Sequence, residues 1–385
     1  MNKLFTLLNY IPKKILFFPI YFLVSFIPYF IIIFLFKVDQ PDLTVHISFA
    51  DQLIESQNKP AHPIFFILIK ILSFFSTDYN LKLFACALIF SIAQYFTLYF
   101  SIRIIKELFN REVNVIMHIL ILSLQFALPI PFFLDGIRYN SLSMNYFHNG
   151  TLSASIPFAY GLCLYAFKFL LHDSLSYLKK AYYFALLLIL TKPSFTFCFI
   201  PAFPIYAFIK YGLSPKLLRS LQLSIFMTFG IVAQSFYLRY YTPSYLKDFK
   251  IKFQPFFLYG SISNHVRIVL EGFLVGISFL LLYFRKIIKS EYLIFATLLV
   301  VIGYTISFTM IDYLNGVAFP NMAWQTTIVN KLAILFCIPY FIPANLKEDF
   351  RWKTILVSLV LLLHGFYGLY YLYTVPSFRV FHLNF

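Results

Sequence analysis

Charge is what this sequence lacks. Only 12% of its 385 residues are Asp, Glu, Lys or Arg, while 61% are hydrophobic; a soluble chain carries roughly 25% charged residues. Without a lipid solvent that much apolar surface cannot be buried, so soluble enzymes and nucleic-acid-binding proteins are excluded first. The sequence reads as an all-α polytopic membrane protein. Short cysteine spacing is missing too. Cys86, Cys163, Cys198 and Cys337 stand singly in apolar stretches, which excludes a CxxC metal site and a disulfide framework and leaves small core hydrophobes. There is no internal repeat, so inverted-repeat transporter symmetry has no support.

What is present is a series of apolar runs near the length of a bilayer crossing, about 17–25 residues. Spans are expected at 15–36, 81–102, 114–134, 156–171, 182–192, 194–210, 217–238, 267–284, 292–312, 328–344 and 354–373, eleven in all. The first is too long for the apolar core of a cleavable signal and reads as a retained anchor. Thr191-Lys192-Pro193-Ser194 separates two short runs that could be half-helices or a kinked pair. The apolar stretch 62–75 is shorter and suits a re-entrant or interfacial helix.

Net charge is +16, and basic residues accumulate on cytoplasmic loops. If 62–75 does not cross, six clusters of three fall on one side: Lys3/Lys13/Lys14, Arg103/Lys106/Arg111, Lys168/Lys179/Lys180, Lys210/Lys216/Arg219, Arg285/Lys286/Lys289 and Lys347/Arg351/Lys353. That arrangement predicts a cytoplasmic N-terminus, an outer C-terminus, and outer segments 37–80, 135–155, 239–266 and 313–327. Most acidic residues lie there or at the adjoining span ends, so any chemistry should face outward.

In the first outer loop Pro41 suits the first turn of a helix, and Leu43, Ile47, Ala50 and Ile54 recur at helical spacing. An amphipathic helix over 41–56 lying on the membrane follows. Asp42 and His46 are four apart and share a face. An acid in a first turn also suits the helix macrodipole, Asp39 also suits a cap, and Asp51 with Glu55 reads as a solvated acidic stripe.

An acid near the start of the loop after the first span, then Asp-x-x-x-His, then His62-Pro63 before a short apolar helix, resembles the GT-C superfamily of polytopic membrane glycosyltransferases. The likeness covers roughly the first 210 residues by arrangement. It implies a GT-C-like bundle of about eleven transmembrane helices, with membrane-parallel helices in the first outer loop. It also implies a sugar donor on a polyprenyl-phosphate carrier, an acid of that loop as base, and a basic residue at the Thr191-Lys192-Pro193 position holding donor phosphate. The sequence departs from the family in spacing its acids as Asp39-x-x-Asp42, in having His-Pro-Ile, and in adding no soluble C-terminal domain. The stretch Asn145 to Thr151 with Lys192-Pro193-Ser194 also looks like bacterial membrane proteins of surface-polysaccharide assembly.

Such a transfer needs one carboxylate to take the acceptor proton and cationic groups to stabilise the departing phosphate. The expected base is Asp42, with Asp39 as fallback. Lys192, His62 and Arg138 are expected to hold phosphate, and His46, His148 and Asn149 to orient sugar or acceptor; Asn149-Gly150 is equally a turn signal. Lys192, between two apolar runs, needs a cavity, an anionic lipid or the interface. Asn321, Trp324, Gln325 and Lys331 form a late outer polar cluster, and the basic, tyrosine-rich loop 239–266 suits either a carbohydrate or lipid headgroups.

The expectation is therefore an inverting, metal-independent glycosyltransferase of a bacterial inner membrane. Residues 1–240 would form the catalytic module and 241–385 a C-terminal transmembrane module. The partners are a polyprenyl-phosphate sugar, a glycan, lipid or protein acceptor and membrane lipids, with no nucleic acid and no cofactor beyond the lipid-linked substrate. A polysaccharide polymerase or ligase, or a flippase of lipid-linked sugar, are the alternatives.

Overall fold

The computed structural model describes residues 13–30, 41–55, 62–127, 150–241, 250–257, 261–314, 316–342 and 352–374. Among them the chain forms α1 (Lys13–Phe30), α2 (Pro41–Glu55), α3 (Pro63–Leu72), α4 (Tyr79–Leu108), α5 (Val115–Phe126), α6 (Gly150–His172) and α7 (Leu175–Thr191). After a 3-10 turn at Pro193–Phe195 come α8 (Thr196–Tyr211), α9 (Pro215–Tyr241), β1 (Lys250–Phe253), α10 (Ile262–Gly272), α11 (Leu274–Lys289) and α12 (Glu291–Thr309). The strands β2 (Met310–Leu314) and β3 (Val317–Phe319), a 3-10 turn, α13 (Gln325–Phe341) and α14 (Trp352–Thr374) complete it.

Among the described residues six helices are long and apolar enough to cross a membrane: α4, α6, α8 with its preceding turn, α9, α12 and α14. The pair α10–α11, bent by 77°, would make a seventh. The chain is thus a helical polytopic protein suited to membrane insertion. Among the described residues each of the eleven expected spans overlaps a helix or, at 267–284, this bent pair, but α7 and α13 have 17 residues each and α5 has 12, so six or seven crossings are supported and not eleven.

Local sequence explains where helices begin and stop. Asp78 caps α4 by accepting from Asn80 N at 2.8 Å, and Asn114 caps α5 through Met117 N at 3.0 Å, supplying acceptors for otherwise orphaned amides. Gly212, at φ +61, ends α8 in the left-handed region. The helices α6 and α13 are buried almost all round, as expected of central helices without a polar face. α4 packs on α1, α5 and α6, while α13 packs on α5, α8, α11 and α12, and one hydrophobic core runs through both halves of the chain.

Basic residues from four of the six clusters gather at one end of the bundle. Lys168 Nζ reaches Glu107 at 2.5 Å, Arg103 also pairs with Glu107, and Arg103 donates to Tyr165 Oη at 2.9 Å. Lys216 Nζ donates to Leu170 O at 2.5 Å, Lys210 pairs with Glu291 at 2.9 Å, and Lys286 donates to Tyr340 O at 2.7 Å. All these partners lie at or just beside helix ends. At the opposite end stand α2, α3, the start of α4 and the joint between α7 and α8.

Three expectations of the sequence are corrected. The span 292–312 ends at Thr309, since residues 310–314 form β2. The run 267–284 is broken at Phe273, between α10 and α11. The all-α reading missed a three-stranded antiparallel sheet, β1-β2-β3, in which Lys250 faces Tyr313 and Asp312 faces Phe319. β1 is held by a partner distant in sequence, so no local alternation announced it, whereas the Asn315-Gly316 dipeptide between β2 and β3 was an available hairpin signal.

Candidate functional site

The segment after α1 builds as its periodicity predicted. α2 starts at Pro41, and Leu43, Ile47 and Ala50 are buried where it packs on α3. Asp42 is the second residue of α2, and the description extends to its backbone. His46, one turn on, meets Phe65 and Phe66 edge-on, with ring centroids 5.6 and 5.7 Å away.

His62 precedes Pro63, the first residue of α3, where a missing amide proton costs nothing. Its Nδ1 is 3.3 Å from Gln234 Nε2, which also donates to Ile189 O at 3.1 Å. Burial, then the positive charges of Lys192 and His46, push the His62 pKa well below the ordinary 6.5. His62 is therefore neutral at pH 7. With Nδ1 accepting from Gln234, its proton sits on Nε2 and can be donated. His46 and Lys192 are thus each within electrostatic reach of His62, although the three residues come from three separate segments.

Lys192 stands where α7 stops. Its backbone is extended, its amide donates to Leu188 O at 2.8 Å, and Pro193 then opens the 3-10 turn that leads into α8. The proline cannot continue the α-helical ladder, which is why the lysine occupies a joint and not a helix face. Thr196 Oγ1 donates back to Pro193 O across this turn. Gly150 opens α6 where a Cβ would come within 2.8 Å of the Phe65 ring, so glycine permits the close approach of α6 to α3 and α4.

Asp51 departs from the solvated stripe expected of it. Its carboxylate accepts from Lys70 at 2.6 Å and from Lys82 at 2.8 Å, and both lysines are buried. Burial alone would raise the Asp51 pKa, but the hydrogen bonds and charges of the two lysines outweigh it and hold it below the ordinary 3.8. This clamp ties α2 to α3 and α4. Sequence reasoning missed Lys70 and Lys82; their position in apolar runs was the available signal.

The late polar cluster is likewise corrected. Gln325 and Lys331 are buried, at 0% and 3% exposure, and do not line an outer surface. Lys331 Nζ donates to Gln125 O at 2.6 Å, and Asn330 Nδ2 donates to Tyr304 Oη at 3.0 Å. Trp324 is half-buried before α13. In the tyrosine-rich loop, Lys252 of β1 lies over the Tyr313 ring at 4.5 Å. Asp39, Arg138, His148 and Asn149 lie outside the described residues, as does the side chain of Asn321. Among the described residues no three His, Cys, Asp or Glu side chains gather as a metal site.

No protein-family model matches the chain, and a search of curated proteins gives no significant match. The site's geometry and the class of helical polytopic protein are what a functional reading has to stand on.

Proposed function

We propose that this protein is an inverting glycosyltransferase of the GT-C type, using a polyprenyl-phosphate sugar at the outer face of a bacterial inner membrane. The observation that supports this is the convergence of His46, His62 and Lys192 beside the helix that carries Asp42 in its first turn. In the proposed step Asp42, with Asp39 as fallback, takes the acceptor's hydroxyl proton as that oxygen attacks the anomeric carbon. The bond from that carbon to the carrier's phosphate breaks, and the electron pair leaves with the phosphate. Lys192 and the Nε2 proton of neutral His62 stabilise the charge that develops there. Arg138, His148 and Asn149 keep their roles in phosphate binding and orientation as part of this proposal, as do the eleven-span topology and the division at residue 240. The acceptor is a glycan, lipid or protein of the cell envelope.

The test is release of free polyprenyl phosphate from a panel of polyprenyl-phosphate sugars by the full chain in lipid. Wild type should release it, and Asp42→Asn should fold and fail. Full activity of both Asp42→Asn and Asp39→Asn would overturn the assignment. Buried Lys331 and Glu271 favour a second reading, a flippase of lipid-linked sugar, because ionisable residues inside transmembrane bundles mark transport paths. Intact lipid-linked sugar crossing the bilayer without release would select it. A product ladder on a gel would instead indicate a polymerase.

A further inference from the structure

At the end of the bundle away from the candidate site, three cations from three helices gather around two tyrosine rings. Arg103 of α4 and Lys180 of α7 both lie over the ring of Tyr165 of α6, their charges 5.5 and 5.3 Å from its centroid. Tyr165 stacks on Tyr177 of α7 with centroids 6.4 Å apart. Over that second ring stands Lys168 of α6 at 4.5 Å, with Lys180 again at 5.8 Å. Like charges are held this close because the negative ring faces attract each of them, and because Glu107 pairs with Arg103 and Lys168.

One carboxylate does not balance three cations. Among the described residues Glu112 pairs with Lys106 at 3.0 Å instead, and exposed Asp173, in the link between α6 and α7, has no ion pair. The side chains of Arg103 and Lys168 keep 24% and 13% of their surface open. Lys180 is exposed, and among the described residues its ammonium has neither a hydrogen bond nor a carboxylate. An ammonium carries three donors, so the cluster has positive charge in excess and, at Lys180, donors turned to the outside.

The adjoining helix faces say what lies outside. On α4 the exposed Ile92, Phe96 and Tyr99 recur at helical spacing and lead to Arg103. Phe100, next to Tyr99, meets Phe184 of α7 edge-on with centroids 5.2 Å apart, and α7 exposes Tyr183 and Leu186 after Lys180. Both α4 and α6 are long and apolar enough to cross a membrane, and the three cations fall within two turns of the helix ends. The cluster therefore stands where apolar faces meet water, at the height of lipid headgroups. Basic groups between helices at that height complement a headgroup phosphate. A zwitterionic headgroup brings its own cation, which the excess positive charge opposes; an anionic one brings none. We infer that Arg103, Lys168 and Lys180 form a binding site for the phosphate of an anionic phospholipid, whose acyl chains lie along the exposed faces of α4 and α7. This inference does not rest on the glycosyltransferase reading.

The experiment follows thermal unfolding of the full chain in an uncharged detergent, titrated with short-chain phosphatidylglycerol, with phosphatidylcholine of the same chains, or with inorganic phosphate. Phosphatidylglycerol should raise the wild-type Tm to a plateau, and the other two should not. Lys180→Gln should keep the wild-type Tm without lipid, because the side chain is exposed and makes no hydrogen bond among the described residues. It should bind phosphatidylglycerol about fivefold more weakly. Arg103→Gln should weaken binding as well, and it decides the matter if Lys180→Gln does not fold. Lys250→Gln is the control for overall charge. Lys250 lies on β1, paired with the strand that follows the end of α12, whereas the start of α12 meets Lys210 at the basic end. It should bind phosphatidylglycerol as wild type does. Wild-type affinity in Lys180→Gln, or no stabilisation by phosphatidylglycerol, would overturn the inference. So would equal stabilisation by phosphatidylcholine or inorganic phosphate. An equal loss in Lys250→Gln would overturn it too, by reducing the effect to the net charge of the chain.

Discussion

Asp51 holds two buried ammonium groups with one carboxylate, so its removal leaves both uncompensated. Asp51→Asn should destabilise the packing of α2 by about 2 kcal/mol, seen as a lowered Tm and faster proteolysis within 41–55. Because the folded-state pKa of Asp51 is depressed, the clamp's contribution is complete above the unfolded pKa, about pH 4. It drains away as pH falls through the lower folded value, and a clamp intact at pH 2 would count against this account. His62 obeys the same sign for a different reason. Its folded pKa lies well below 6.5, so the unfolded chain takes up a proton first and stability declines as pH falls below 6.5. Lys192→Met removes one of the charges opposing protonation and should move the His62 titration upward, toward 6.5, by histidine NMR. No movement would mean that the two residues do not share a site. His62 and Lys192 were legible as candidates because each interrupts an apolar run. Gln234 was not, since a single glutamine in an apolar helix has no sequence mark of the histidine it touches.

Among the elements, α4 carries the most consequences. Its 30 residues extend about 45 Å at 1.5 Å each, well beyond a hydrocarbon core of about 30 Å. Its first turns consequently have room to stand outside the membrane, where Lys82 meets Asp51. The pairing of α5 with α14 is equally specific. A Cβ on Gly365 would come within 2.9 Å of the Ser123 backbone, which cannot swing aside as a side chain can. Gly365→Ala should therefore cost about 1–3 kcal/mol, read as a lowered Tm, and an unchanged Tm would refute the close packing. The helix starts at Pro41 and Pro63 and the break at Lys192-Pro193 were readable because proline acts locally. β1 was not readable, because only tertiary pairing joins it to β2, whereas Asn315-Gly316 marked the β2–β3 hairpin.

For the whole molecule, Arg103, Lys168, Lys210, Lys216 and Lys286 share one end, and labelling can test which side of a membrane that end faces. The four native cysteines are buried, so an introduced exposed cysteine should be the reactive one. Thr77→Cys should react with an impermeant maleimide in intact cells, and Lys179→Cys only after permeabilisation. The reverse pattern would invert the topology and move the candidate site to the cytoplasm.

Composition and the spacing of apolar runs were enough to determine a helical membrane protein, because lipid demands long apolar helices whatever their packing. Periodicity likewise placed α2 and its buried face. Which polar residues meet was decided only in three dimensions. Asp51 became a clamp and not a solvated acid because α3 and α4 bring Lys70 and Lys82 to it, and Lys331 became buried because α13 lies at the centre of the bundle. A charge's cost and its partner depend on what packs around it, and that is set by helices distant in the chain.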